Sequence, residues 1–250
     1  MNELDGKVAL VTGATRGLGR AIAEGLSRAG ATVVVSSRKA EACEETAAEI
    51  TAATGGRTFP LPLHVGHWDT IAPALDVVER EVGPLDVLVN NAGIAPGAPS
   101  LEELSEGLFD KTIEVNLKGP FRMMAVAGAR MAARGGGSIV NISSVGSLRP
   151  SADEATYAAA KAGLNALTQA FAKEYAPHVR VNCVLPGGFA TDMAAGWSEE
   201  FIGKVVDGLP AARLGRPEEL VGIVVHLASD ASSYTTGVLL PVDGGRSTVY

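Results

Sequence analysis

Cysteine is scarce in this chain: Cys43 and Cys183 are the only two in 250 residues. One lies in a helical run and the other far away in a strand-like run, so no disulfide framework holds the fold. Both are expected to be buried or incidental thiols in a reducing cytosol, which makes the expected location cytoplasmic. Positive charge is also short. Twenty-one Lys and Arg against 28 Asp and Glu leave a net charge of −7, and the missing basic stripe argues against nucleic acid as a partner. No uncharged apolar run approaches the roughly 18–20 residues needed to cross a bilayer, so no membrane is expected either. Met1, Asn2, Glu3, Leu4 and Asp5 lack a basic segment followed by an apolar one, and no secretory signal is expected there. With no repeat, linker or charge block, 1–250 is expected to form one domain.

What is present is the composition of a globular chain, 46% apolar and 20% charged, long enough to bury a large core. Thirty glycines point to tight turns and close backbone approaches. Apolar, β-like runs at 7–12, 31–36, 58–65, 86–89, 137–144, 179–184 and 237–242 alternate with helical patterns. Those patterns fall at 20–29, 40–53, 68–82, 104–133, 155–175 and 217–228. Strands alternating with helices mean right-handed crossovers and a parallel sheet covered on both faces, an α/β fold. The weakly patterned stretch at about 188–213 is the expected substrate lid.

The first strand runs into Gly13, Ala14, Thr15, Arg16, Gly17, Leu18 and Gly19 and then a helix. Strand, glycine-rich turn and helix aim backbone N–H groups and a helix N-terminus at a phosphate. The spacing is G-x-x-x-G-x-G, and the nucleoside-triphosphate pattern G-x-x-x-x-G-K-[ST] is missing. At the end of the second strand stand Ser37 and Arg38. An acidic residue there would bind a ribose 2′-OH, whereas arginine accommodates a 2′-phosphate. Arg38, with Arg16 as a second cation, predicts NADP(H) as the favoured cofactor, with NAD(H) possible. Small residues in Asn90, Asn91, Ala92 and Gly93, at the end of the fourth strand, let backbone approach a flat ligand.

Tyr157 and Lys161 are four apart on a predicted helix and share a face. A free tyrosine, with a pKa of about 10, is a poor acid or base at neutral pH. A neighbouring ammonium favours the phenolate, so the expected Tyr157 pKa is lowered. Ser144, closing the fifth strand, could hydrogen-bond the same substrate oxygen. Asn116 sits inside a helical run that it suits poorly; it marks either a local kink or a polar group holding a water near Lys161. His64 and His67 have metal-ligand spacing but no supporting Cys or carboxylate cluster, so they are taken as surface histidines and no metal is expected.

Taken in order, these motifs resemble the short-chain dehydrogenase/reductase family from about 6 to 245. They are Thr12-Gly13-x-x-x-Gly17-x-Gly19, Asn90 to Gly93, Asn116, Ser144, Tyr157-x-x-x-Lys161, and Pro186-Gly187 with Thr191. The resemblance implies a Rossmann-type sheet of seven strands in order 3-2-1-4-5-6-7. It also implies a homotetramer, contacting through the helices around Asn116 and Tyr157 and the C-terminal strand. Tyr157 would be the acid or base, and Lys161 would lower its pKa and bind the nicotinamide ribose. Ser144 would orient the reacting oxygen, and Asn116 would anchor a relay water. Gly13, Thr15, Arg16, Gly17, Leu18 and Gly19 would surround the pyrophosphate and adenosine side, with Ser37 and Arg38 beyond them. Asn90, Ala92 and Gly93 would meet the nicotinamide ribose side, and Pro186, Gly187, Phe189 and Thr191 the carboxamide and phosphates. His64-Val65 stands where relatives often have Asp-Val against adenine; the backbone can still hold the ring there.

Within the family, Thr191-Asp192-Met193 and Pro210-Ala211-x-Arg213-Leu214-Gly215 are most similar to bacterial 3-oxoacyl-[acyl-carrier-protein] reductases. Sugar, sugar-acid, steroid and secondary-alcohol dehydrogenases share these features, and a non-catalytic dinucleotide sensor is a further alternative. Three segments, 94–100, 145–154 and 188–206, are expected to shape a pocket for a small carbonyl or alcohol. Pro96, Pro99, Leu148, Phe189, Met193, Trp197 and Phe201 give it an apolar or amphipathic character. Arg149 either meets an acid group or is solvated, and few basic residues are expected nearby to dock an acidic carrier.

Overall fold

The computed structural model describes residues 3–97, 100–191 and 198–248. Its strands are β1 (Val8–Thr12), β2 (Thr32–Ser37), β3 (Thr58–Pro62), β4 (Val87–Asn90), β5 (Gly137–Ile142), β6 (Val179–Pro186) and β7 (Leu239–Val242). They form one sheet in the order β3-β2-β1-β4-β5-β6-β7, every neighbouring pair parallel. The expected α/β class and strand order are both present.

Strand side chains alternate between two cores. Ala9 and Val11 of β1 join one cluster, Val8 and Leu10 the other; Val87 and Val89 of β4 oppose Leu88 in the same way. The first cluster is closed by α1 (Gly17–Arg28), α2 (Ala40–Thr54) and α8 (Val221–Ala228). The second is closed by α3 (Trp68–Glu81), α5 (Gly119–Ala133) and α6 (Ala155–Glu174). Burial of both faces is why the strands read as unbroken apolar runs. Pro60 and Pro62 of β3 and Pro241 of β7 sit in the two edge strands, whose outer N–H positions have no partner strand to bond, and Pro186 closes β6.

Two elements differ from the sequence reading. The stretch 104–133 is not one helix. Ser105 caps a short α4 (Glu106–Ile113), accepting from Leu108 N at 3.3 Å. A π-turn then spans Glu114–Lys118 before α5 begins. Asn116 sits in that turn, so its kink reading holds. In the lid, residues 199–207 form a helix, α7 (Glu199–Asp207), where the sequence shows only a weak pattern. Ile202, Val205 and Val206 supply the three-to-four spacing that the glycines around them obscure. Pro99, Met193 and Trp197 lie outside the described residues, as does the side chain of Phe201.

Candidate active site

At β1 the chain order reverses, because β1 pairs with both β2 and β4. Loops leaving the carboxyl ends of flanking strands part at such a point and leave a crevice. Here the crevice has a volume of about 1110 Å³ and is walled by residues following β1 through β6.

Its floor is a set of close backbone approaches. Gly13 and Gly17 have φ of +67° and +52°, which glycine adopts freely. A Cβ on Gly13 would stand 2.9 Å from Ala92 Cα, and one on Gly19 would overlap Gly13 O and Asn91 Nδ2. Asn91 clasps the turn from the opposite strand end. Its Nδ2 donates to Thr12 O at 2.9 Å and to Gly13 O at 3.2 Å. Thr12 Oγ1 in turn accepts from Asn91 N at 3.0 Å and Ala92 N at 3.1 Å. Thr191 lies across the turn, its Cβ 3.5 Å from where a Gly17 Cβ would be.

One end of the crevice carries free cations. Arg16 and Arg38 are exposed on its wall with no side-chain ion pair or hydrogen bond among the described residues. Between them Ser37 Oγ accepts from Thr15 Oγ1 at 3.2 Å. His64 and Val65 line the same end. The His64 ring stacks on His67 at 4.2 Å, and its Nδ1 accepts from Gly66 N at 3.1 Å. Lost hydration, then His67 and Arg38, lower the His64 pKa. Among the described residues no cluster of His, Cys, Asp and Glu is placed to hold a metal ion.

At the other end stand Tyr157, Lys161 and Ser144. Lys161 is 3% exposed. Its Nζ donates to Ile142 O at 2.7 Å and lies 5.7 Å from the centre of the Tyr157 ring. Ser144 Oγ accepts from Gly146 N at 3.0 Å, which fixes the turn after β5. The Tyr157 pKa is the reverse of the expectation. Burial raises it to about 12, with the neighbouring Ser144 hydroxyl pulling down and the Glu154 charge pushing up. Burial also lowers Lys161 to about 8. The sequence shows the ammonium but not the loss of water around both groups, which is the largest cause of each shift.

Asn116 is fully buried and does not reach the crevice wall. Its Nδ2 donates to Ile94 O at 2.8 Å and Thr112 O at 2.9 Å, and its Oδ1 accepts from Ile94 N at 3.1 Å. Both amide hydrogens are therefore taken by the protein, leaving one Oδ1 lone pair for a water. A Cβ on Gly93 would sit 2.9 Å from Asn116 Oδ1 and 3.6 Å from Lys161 Nζ, so these motifs meet at one place. Asn90 departs from the expectation. Its side chain is buried beneath the wall, donating to Asn141 Oδ1 at 2.9 Å. The other expected cofactor residues all line the crevice: Gly13, Thr15, Arg16, Gly17, Leu18, Gly19, Ser37, Arg38, His64, Val65, Ala92, Gly93, Pro186, Gly187, Phe189 and Thr191.

Some wall residues escaped the sequence reading. Lys111 and Arg246 join Arg149 there, all three exposed, so the mouth is more basic than expected. Arg149 donates to Ser247 O at 2.9 Å, tying it to the C-terminal segment. No spacing rule announces Lys111 or Arg246, which arrive from distant parts of the chain.

A cleft at the topological reversal, a glycine cradle and a Ser-Tyr-Lys group mark the class: Rossmann-type oxidoreductases. Residues 13–247 match the family model described as Enoyl-(Acyl carrier protein) reductase, and the chain belongs to the short-chain dehydrogenase/reductase family. It is 39% identical to the 3-oxoacyl-[acyl-carrier-protein] reductase FabG of Aquifex aeolicus, over 97% of this chain and 98% of that one. It is also 39% identical to the gluconate 5-dehydrogenase of Gluconobacter oxydans, over 97% and 95%. The crystal structure of a gluconate 5-dehydrogenase from Burkholderia cenocepacia J2315 in complex with NADP and tartrate matches with a TM-score of 0.95. That protein is 34% identical, with 99% of this chain and 98% of that one covered. The chain is thus an oxidoreductase of CH–OH groups.

Proposed function

We propose that this enzyme interconverts a carbonyl and a secondary alcohol with NADP(H), and that its leading substrate is a 3-oxoacyl thioester. The observation that carries the reading is the polarity of the crevice. Two guanidinium groups with no partner among the described residues stand at the adenosine end, and Tyr157, Ser144 and Lys161 line the other. The residues fit the dinucleotide. The glycine turn leaves room where a Cβ would collide, and Arg16 and Arg38 suit a 2′-phosphate, with no carboxylate on that part of the wall.

When bound, the nicotinamide supplies or accepts the hydride at C4. Tyr157 donates its proton to the carbonyl oxygen in reduction and takes it back in oxidation, and Ser144 orients that oxygen. Its raised pKa means that Tyr157 holds the proton at neutral pH, ready as an acid. Charged Lys161 then stabilises the phenolate left behind. Asn116 is a positioning residue that fixes the backbone of Ile94 and hence the start of the substrate loop.

The thioester reading is supported by the 3-oxoacyl-[acyl-carrier-protein] reductase relatives and by Ile94, Pro96, Leu108, Val145 and Phe189 on the wall. A sugar acid is the second reading, supported by the gluconate 5-dehydrogenase relatives and by Lys111, Arg149 and Arg246 at the mouth. A 340 nm assay of acetoacetyl thioester and 5-ketogluconate with each cofactor tests both. The expected result is NADPH oxidation with a higher kcat/KM than with NADH, lost by two orders of magnitude or more in Tyr157→Phe. A fully active Y157F variant, or a preference for NADH, would count against the assignment.

A further inference from the structure

Asp153 and Glu154 are the carboxylates lining the crevice among the described residues, and Glu154 is the one whose charge acts on Tyr157. It ends the short turn Ala152–Glu154 that feeds α6, one helical turn ahead of Tyr157. A point at the Cβ position of Gly146 would lie 3.3 Å from Ser144 Oγ and 3.9 Å from Glu154 Oε2. The serine hydroxyl and the carboxylate therefore face the same small space, left open because residue 146 has no side chain. The Glu154 side chain has no hydrogen bond or ion pair among the described residues. Arg149, five residues earlier, is turned towards Ser247 O instead. Partial loss of water and the charge of Asp153 raise the Glu154 pKa, with no cation among the causes. Its charge is also felt at Tyr157. The wall is thus divided, with cations at the mouth and, beside the chemistry, an acid that is itself exposed and has no cation partner among the described residues.

We propose that Glu154 is a charge filter: it turns away carbonyl compounds with a free carboxylate next to the reacting centre and admits those that are neutral there. The inference rests on the ketoreductase reading above and narrows it. A thioester, ester or hydroxylated ketone passes, and so does a molecule whose acid group lies far enough away to reach the mouth. The matching free 3-oxo acid is refused, because like charges a few ångströms apart repel.

The test compares ethyl acetoacetate with acetoacetate at pH 7.5, measuring kcat/KM for NADPH oxidation. In the unaltered enzyme the ester should lead by at least tenfold. In Glu154→Gln, nearly isosteric but uncharged, that lead should shrink by tenfold or more, and Glu154→Ala should move it the same way. NADPH fluorescence on binding shows that each variant is folded. Equal ratios in the unaltered enzyme and both variants, with turnover that Tyr157→Phe abolishes, would overturn the filter and leave the ketoreductase reading standing. No NADPH oxidation with either compound, nor with acetoacetyl thioester or 5-ketogluconate, would overturn that reading and the filter with it.

Discussion

Tyr157 and Lys161 are tuned by the same force in opposite directions. Withdrawal from water costs whichever form is charged, so the phenol keeps its proton to about 12 and the ammonium loses one near 8. In free enzyme Lys161 is therefore cationic below about pH 8 and neutral above, while Tyr157 stays protonated throughout. Since kcat/KM reports ionisations of the free enzyme, carbonyl reduction should stay level up to about pH 8 and fall beyond it, as the charge that stabilises the phenolate disappears. Alcohol oxidation, which needs Tyr157 to accept a proton, should climb with pH. Stopped-flow or steady-state profiles from pH 6 to 10 check this, and a reduction rate flat to pH 10 would contradict it. The pairing of Tyr157 with Lys161 was legible from their spacing. The direction of the tyrosine shift was not, because burial belongs to the assembled fold and not to either residue.

At the scale of elements, the segment leading into α8 shows how a local signal is set. Pro217 opens the turn Pro217–Leu220, and Glu219 reaches back to accept from Arg216 N at 2.8 Å. Arg213 donates to both its oxygens at 2.7 and 2.8 Å. These bonds hold the Glu219 carboxyl down at about 2, below its ordinary 4.5. A depressed carboxyl contributes stability above its unfolded pKa and loses it as pH drops through the folded one. Glu219→Gln should therefore lower Tm at pH 7, with the difference from the unaltered protein shrinking between about pH 4.5 and pH 2. Calorimetry at the two ends checks it, and a pH-independent difference would refute the charge argument. The helix expected over 217–228 was visible in the sequence. The π-turn at Glu114–Lys118 was not, since it depends on Asn116 bonding a loop 22 residues away. The helix of the lid was hidden by Gly203 within it and Gly208 just after it.

The strand order of the whole molecule followed from motifs in sequence, and the two-sided burial that makes each strand an apolar run explains why the strands were so readable. The partners of the Asn90 side chain were illegible for the same reason: a polar residue at a strand end looks like a ligand contact until the network of Asn90, Asn141 and Thr168 is assembled around it. Outside the sheet, Phe109 on α4 and Phe121 on α5 remain 46% and 36% exposed. Phe121 continues a ring stack with Trp68 at 5.9 Å. We propose that another copy of the chain covers these rings, since the family resemblance implies a tetramer through these helices. Light scattering should give about four times the chain mass of 25.6 kDa. A species of single-chain mass at micromolar concentration would remove the assembly proposal.

The clamp of Asn116 on both backbone groups of Ile94 has a consequence for how such a protein can change. It nails down the root of the entrance loop, so residues 92–94 cannot drift without loosening the ground beneath Lys161. Novel specificity has to be sought further out, from Ala95 onward and on the turn that carries Glu154. A mutagenesis library confined to those outer positions should return folded catalysts far more often than one that includes the root.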